Sequence, residues 1–199
     1  MRYHLFAILL FISIVICQGQ NQQSPKFNTI KPFLLTSDSS ITFKTTIKIP
    51  TTTLTGLLIV KRTDEITYRT AFISELGMSL FELELQPDSF HLVSGMDLLK
   101  KHDLLQILAK QLFMIIHPFT EKSKPIQSVK RTIINYNFAD HGYNCQLDSF
   151  QRVSSAKSGK FLSKIRINYF YNNKHLPRSI GLKQSGIRIK WTLELLEQN

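Results

Sequence analysis

The chain is poor in the residues that most site chemistry requires. It holds two cysteines in 199 residues, Cys17 and Cys145, too few for a disulfide framework, so a packed core must hold the fold. Its six histidines are scattered, none at ligand spacing from another, and no H-E-x-x-H or C-x-x-C occurs, which speaks against a metal site. There is no G-x-S-x-G elbow and no phosphate-cradling glycine loop, and Ser158-Gly159-Lys160 is only a turn signal. Cys145 lies in a polar stretch without an activating partner and reads as a half-buried small hydrophobe. Carboxylates gather only at Glu82 and Glu84, on the wet face of an alternating segment. A hydrolase would need a clustered His/Asp/Ser site. None is present, so the chain is read as a non-enzyme without a cofactor.

Acidic residues are also scarce, 14 against 25 lysines and arginines, for a net charge of +11. Outside the cytoplasm such basicity suits anionic headgroups or acidic partners; a basic soluble surface is the simpler alternative. Long hydrophobic runs are limited to one. After the short basic Met1-Arg2-Tyr3-His4, residues Leu5 to Ile16 are almost all large and apolar. Twelve helical residues span about 18 Å, short of the ~30 Å hydrocarbon core, so 1–16 reads as a signal peptide. Cys17 is placed like a lipobox cysteine, which would be acylated with palmitate or a similar chain, although Ile16 is larger than that position favours. The competing cleavage site is Cys17-Gln18-Gly19, cut before Gln20. Gln18 to Thr36 is polar and irregular, a tether or an entry strand, so 17–39 is read as a tether and 40–199 as a single domain.

What remains is alternation. Ser40 to Ile49 alternates Ile41, Phe43, Thr45, Ile47 and Ile49 against polar residues, and Pro50 ends it. Gly56 to Arg62 is apolar on both faces, which predicts a central strand covered on both sides. Thr67 to Leu85 is a hairpin: Tyr68, Thr70 and Phe72 share one face, Phe81, Leu83 and Leu85 another, joined across Glu75-Leu76-Gly77. Gly77 suits the positive φ of a tight turn. Leu76, apolar at the tip, either packs back on the sheet or meets a membrane or lipid. Pro87-Asp88 makes a turn before a strand over Ser89 to Val93.

The period then changes. From Asp97 to Ile116 apolar residues fall at helical spacing, with Leu98, Leu105, Leu108, Leu112 and Ile115 on one face, and Pro118 closes the helix. After a polar linker over 120–124, Ile126 to Phe138 is β-rich, with a turn at Asp140-His141-Gly142. Phe161 to Tyr171 places Ile165, Ile167, Tyr169 and Tyr171 on one face, and Ile187, Ile189, Trp191, Leu193 and Leu195 share another. Lys164, Arg166, Tyr169, Phe170 and Tyr171 mimic a nucleic-acid surface, but strand alternation accounts for them, and no nucleic-acid partner is expected of an exported protein. The sum is a β-dominant α+β fold, a curved antiparallel sheet with a helix against its concave side.

Several local patterns resemble the LolA/LolB-like family of lipoprotein carriers and outer-membrane acceptors. Gly56-Leu57-Leu58-Ile59-Val60-Lys61 is similar to the family's strand before its hairpin. Tyr68-Arg69, Leu76-Gly77, Phe81-Glu82-Leu83 and Phe90-x-Leu92-Val93 resemble the hairpin and the strand after it. The helix from Asp97 stands where the family places its first cavity-covering helix. Leu176-Pro177-Arg178-Ser179-Ile180-x-Leu182 and the final alternating segment resemble its closing strands. The likeness spans Ser40 to Leu196 in outline, and 122–158 matches nothing in it.

The resemblance implies an incomplete barrel whose concave face is capped by helix or helices over an apolar cavity for acyl chains. That cavity is expected to be lined by Phe43, Ile47, Phe72, Phe81, Leu83, Ile165, Ile167, Ile189 and Trp191, with Leu105, Leu108 and Leu112 from the helix. It implies a membrane-inserting role for Leu76 and Gly77. The function implied is lipid binding and transport in lipoprotein localization: a monomeric, lipid-anchored chaperone on the periplasmic face of a bacterial outer membrane. Without lipidation the protein would be periplasmic. It would take acylated lipoproteins or related lipids, delivered by a soluble periplasmic carrier, and pass them to the membrane. The alternative is a periplasmic or surface interaction lipoprotein whose core is filled and has no ligand cavity.

Overall fold

The computed structural model describes residues 40–64, 66–86, 89–97, 102–116, 125–128, 131–138, 141–150, 152–159, 164–172 and 176–196, with backbone alone at 102, 125–128, 131–138 and 141–143. The signal peptide at 1–16, the tether at 17–39 with Cys17, the Pro87-Asp88 turn, Pro118 and the linker at 120–124 lie outside the described residues.

Period-two alternation marks most of the antiparallel strands, because each polar residue can face water while its neighbours face the core. β1 (Ser40–Ile49), β2 (Thr52–Arg62), β3 (Tyr68–Ser74), β4 (Ser79–Leu85) and β5 (Phe90–Gly95) form one meander. The helix α1 (His102–Ile116) follows. A second meander runs through β6 (Pro125–Ser128), β7 (Arg131–Phe138), β8 (His141–Leu147), β9 (Val153–Ser158), β10 (Ile165–Tyr171), β11 (Pro177–Gln184) and β12 (Lys190–Leu195). The meanders join where β1 pairs with β12, in the order β5-β4-β3-β2-β1-β12-β11-β10-β9-β8-β7-β6. β5 and β6 are the two edges and do not pair, so the sheet is not closed. The β-dominant antiparallel sheet with a helix is what the alternation predicted, and its openness is what the family resemblance implied.

The position of α1 reveals the curvature. Phe113 of α1 meets Tyr68 of β3 edge-on, with ring centroids 6.0 Å apart. At the far side the Tyr169 hydroxyl of β10 donates to the carbonyls of Met114 and Ile115, at 3.4 and 3.3 Å. β3 and β10 are separated by four strands, about 24 Å in a flat sheet at ~4.8 Å per strand. A helix ~10–12 Å across touches both only if the sheet curls around it. Every residue from Gln111 to Ile116 is buried, a wider surface than the single face its spacing predicted, because the helix end lies inside that curl.

Four expectations need correction. β2 is central and extends to Thr52, but its outer face is not covered among the described residues: Leu57 is 38% exposed and Ile59 half-buried. Its inward Gly56 is instead a packing necessity, since a Cβ there would stand 2.0 Å from the Ile73 carbonyl oxygen beside the β3 irregularity. His141 and Gly142 form no turn; they pair with Phe138 and Asn137 as the first residues of β8. Ile187 belongs to the β11–β12 turn, between Gly186 (φ 89°) and Arg188 (φ 59°), and is exposed rather than part of the inward face. Cys145 is fully buried rather than half-buried, because β8 turns it inward between Asn144 and Gln146.

Candidate functional site

The concave face is built from rows of opposed residues. Phe43 and Ile47 come from β1, Phe72 from β3, and Phe81 and Leu83 from β4, and all five are buried in one apolar cluster. Phe72 and Phe81 lie directly opposite each other, ring centroids 5.3 Å apart. Trp191 of β12 faces Ile47 on one side and Leu182 of β11 on the other, and Leu182 faces Ile167 of β10. The same row continues to Ala156 of β9 and Cys145 of β8, so side-chain size falls away towards that end. Ile189, just before β12, joins the cluster, and Ile165 packs against its margin, half-buried. Leu105, Leu108 and Leu112 bring the helix to the same cluster. All twelve residues expected on a concave cavity therefore converge on one apolar surface. Leu58, Ile180 and Leu193 belong to that surface too, and strand alternation could have selected them.

Polar groups on this face are few and satisfied. Gln111 of α1 accepts from the Trp191 indole N–H at 2.6 Å and donates to the Gln184 side-chain oxygen. Sequence reasoning missed Gln111, because a lone glutamine in an apolar helix carries no periodic signal. Thr45 and Thr70 donate to the carbonyls of Phe43 and Leu83, each at 3.3 Å. Among the described residues no buried side-chain nitrogen or oxygen lacks a partner. An interior with no spare donor or acceptor recognises ligands by apolar shape alone.

The titratable groups near this face are held neutral. Burial pushes the Cys145 thiol up to about 12, far from the thiolate that nucleophilic chemistry needs. Burial likewise pushes Tyr68 up to about 12, against a smaller opposing effect of Arg62. No cluster of three His, Cys, Asp or Glu suited to a metal occurs among the described residues.

At the rim, the β3–β4 turn is closed by Ser74: its N–H donates to Met78 O at 2.8 Å, and its hydroxyl accepts from Met78 N at 3.1 Å. Gly77 takes φ 81°, which the turn requires. Leu76 is 84% exposed and does not pack back on the sheet, which settles where it points. Glu82 of the same hairpin pairs with Arg69 at 2.7 Å, both on the outer face.

Comparison with known proteins rests on the fold. A LolA superfamily protein from Nitrosomonas europaea is similar in structure, with a TM-score of 0.56 at 12% identity over 81% of this chain and 85% of that one. The chain has a LolA-like fold. A domain from Vibrio parahaemolyticus, described as an outer membrane lipoprotein-sorting protein, gives 0.49 at 11% identity over 79% and 83% of the two chains. No family model and no curated sequence matches.

Proposed function

We propose that the protein is a non-enzymatic lipid carrier of the LolB type. It takes the acyl chains of lipoproteins or related lipids against its concave face and passes them to a bacterial outer membrane. The observation that carries this reading is the concave apolar surface itself, whose buried polar side chains are all paired among the described residues and which therefore suits a hydrocarbon chain. Burying ten methylenes gains roughly 8 kcal/mol at ~0.8 each, micromolar binding before ordering costs are counted. The LolA-like fold supports the same reading, as does the superfamily description of the Nitrosomonas neighbour.

In this account Leu76 and Gly77 meet the bilayer. One inserted leucine gains only ~1.5–3 kcal/mol, so stable residence needs a second attachment. We assign that attachment to an acyl chain on Cys17, with the protein held monomeric on the periplasmic face. A soluble carrier would deliver the cargo. The Cys17→Ser chain is expected to lose metabolic palmitate labelling and to leave the membrane fraction; a persisting labelled band contradicts the anchor.

One observation favours the other reading, a filled core. The second half of α1 already occupies the concave side, and Trp191, Ile47 and Phe72 are fully buried by the protein's own atoms. An acyl ligand would require α1 to yield space. Titration with an environment-sensitive fluorescent fatty acid separates the two readings. Saturable binding, competed by unlabelled acyl lipid, supports the carrier; no binding to the folded protein supports the filled core.

A further inference from the structure

Five neighbouring strands carry a cation at one register on the outer face of the sheet. Lys48 of β1 lies opposite Lys190 of β12, which lies opposite Lys183 of β11. Lys183 faces Arg166 of β10, and Arg166 faces Lys157 of β9. Directly opposed residues share a face, and the adjacent Ile47, Trp191, Leu182 and Ile167 point inward, so all five side chains stand outward. Four are exposed and Lys157 is half-buried. The row is about 19 Å long at ~4.8 Å per strand. It ends at Thr53 on β2 and Asn144 on β8, with no carboxylate within it. Among the described residues the five make no ion pair; Glu194 lies opposite Lys44, four positions along β12.

Like charges directly opposed weaken a sheet. A continuous row of them is therefore kept against a folding cost and asks for an anionic partner. The neighbouring rim says which. β1 and β3 run the same way, with Thr45 opposite Gly56 and Gly56 opposite Ser74, so the 75–78 tip projects towards the level of Lys48. That rim exposes Leu76, Met78 and Ile187, with Arg188 beside them; Glu75 and Asp97 are its carboxylates. Apolar residues rimming a cationic strip are the pattern of a surface that lies in a membrane interface. A nucleic acid or an acidic polypeptide would leave the apolar rim unused.

We propose that the Lys48–Lys190–Lys183–Arg166–Lys157 row and the rim beside it form a docking surface for an anionic phospholipid bilayer. The surface sits on the convex side and acts whether or not the concave face takes a ligand. The test is co-sedimentation of the chain from residue 17 onward, carrying Cys17→Ser so that neither the signal peptide nor an acyl anchor contributes, with vesicles of phosphatidylcholine alone or mixed equally with phosphatidylglycerol. Binding to the mixed vesicles, weakened by salt, is expected, with little to phosphatidylcholine alone. Lys183→Gln with Lys190→Gln should lower partitioning about 25-fold, at about fivefold per cation. The control Lys61→Gln with Arg178→Gln removes the same charge at the opposite end of the sheet and should change it less than about threefold. Equal losses in the two pairs, absent vesicle binding, or tighter binding of a DNA duplex or an acidic peptide than of vesicles would each overturn the proposal. Fatty-acid binding measured on the Lys183/Lys190 pair keeps the outcome separate from that of the carrier reading, because those residues do not reach the concave face.

Discussion

Leu76 differs from the other leucines of the hairpin in what its backbone does with it. Leu83 and Leu85 are turned inward by the strand, whereas the Ser74–Met78 turn points Leu76 at solvent. Its replacement by glutamate removes no packing, so the melting temperature should hold, as surface substitutions usually stay within ±0.5 kcal/mol. Release of bound lipid into liposomes should slow by tenfold or more, because a buried carboxylate forfeits the leucine's ~1.5–3 kcal/mol and adds a desolvation cost. Unchanged transfer kinetics would remove Leu76 from the account. Cys145 shows the opposite limit of legibility. Flanked by Asn144 and Gln146, it sits in a run with no contrast between faces, so its depth could not be read from its neighbours. Its thiol should resist alkylation at about pH 8 until the protein is unfolded. The group's ordinary value is 9.0 and burial raises it to about 12. Below 9.0 the thiol is protonated whether the chain is folded or not; above that the unfolded chain ionises first. Stability should therefore be complete below about pH 9 and be lost as pH climbs towards 12, with Tyr68, raised from 10.0 to about 12, steepening the loss above pH 10. Urea midpoints across that range check it, and a flat profile would contradict the burial of these groups.

Elements with strong face contrast were legible; those without it were not. β1 alternates large apolar residues with lysines and threonines, and its bounds follow from the pattern alone. β9 reads Val-Ser-Ser-Ala-Lys-Ser, where inward and outward residues are alike in size and polarity, so no period emerges. The helix was legible as a helix, but its depth was not, because depth depends on what the sheet wraps around. Gln111 fixes that depth by bridging Trp191 and Gln184. Gln111→Leu leaves the indole N–H buried without an acceptor, which should cost about 1–3 kcal/mol. Urea unfolding followed by the fluorescence of Trp191, the single tryptophan, measures the loss. A wild-type midpoint would mean that packing alone seats the helix.

At the scale of the molecule, the sheet has two unlike surfaces. Inside the curl lie apolar residues with, among the described residues, every buried polar side chain paired; outside lies a wet face with a row of cations near one rim. The sheet that presents both is open, with β5 and β6 as its two edges. The outline was legible because strand alternation and the change to helical spacing each occupy long stretches; the row was not, because Lys48 stands more than a hundred residues before the other four and all five meet only through strand pairing. On the proposed reading the inner surface holds acyl chains, and extraction tests this. The most direct measurement is mass spectrometry of the organic extract of the folded protein, purified without detergent. An acyl lipid at a constant ratio to protein is expected, lost when Leu108, at the centre of the helix face, is replaced by arginine. A folded protein that yields no lipid extract, and takes up none when offered it, would contradict the claim.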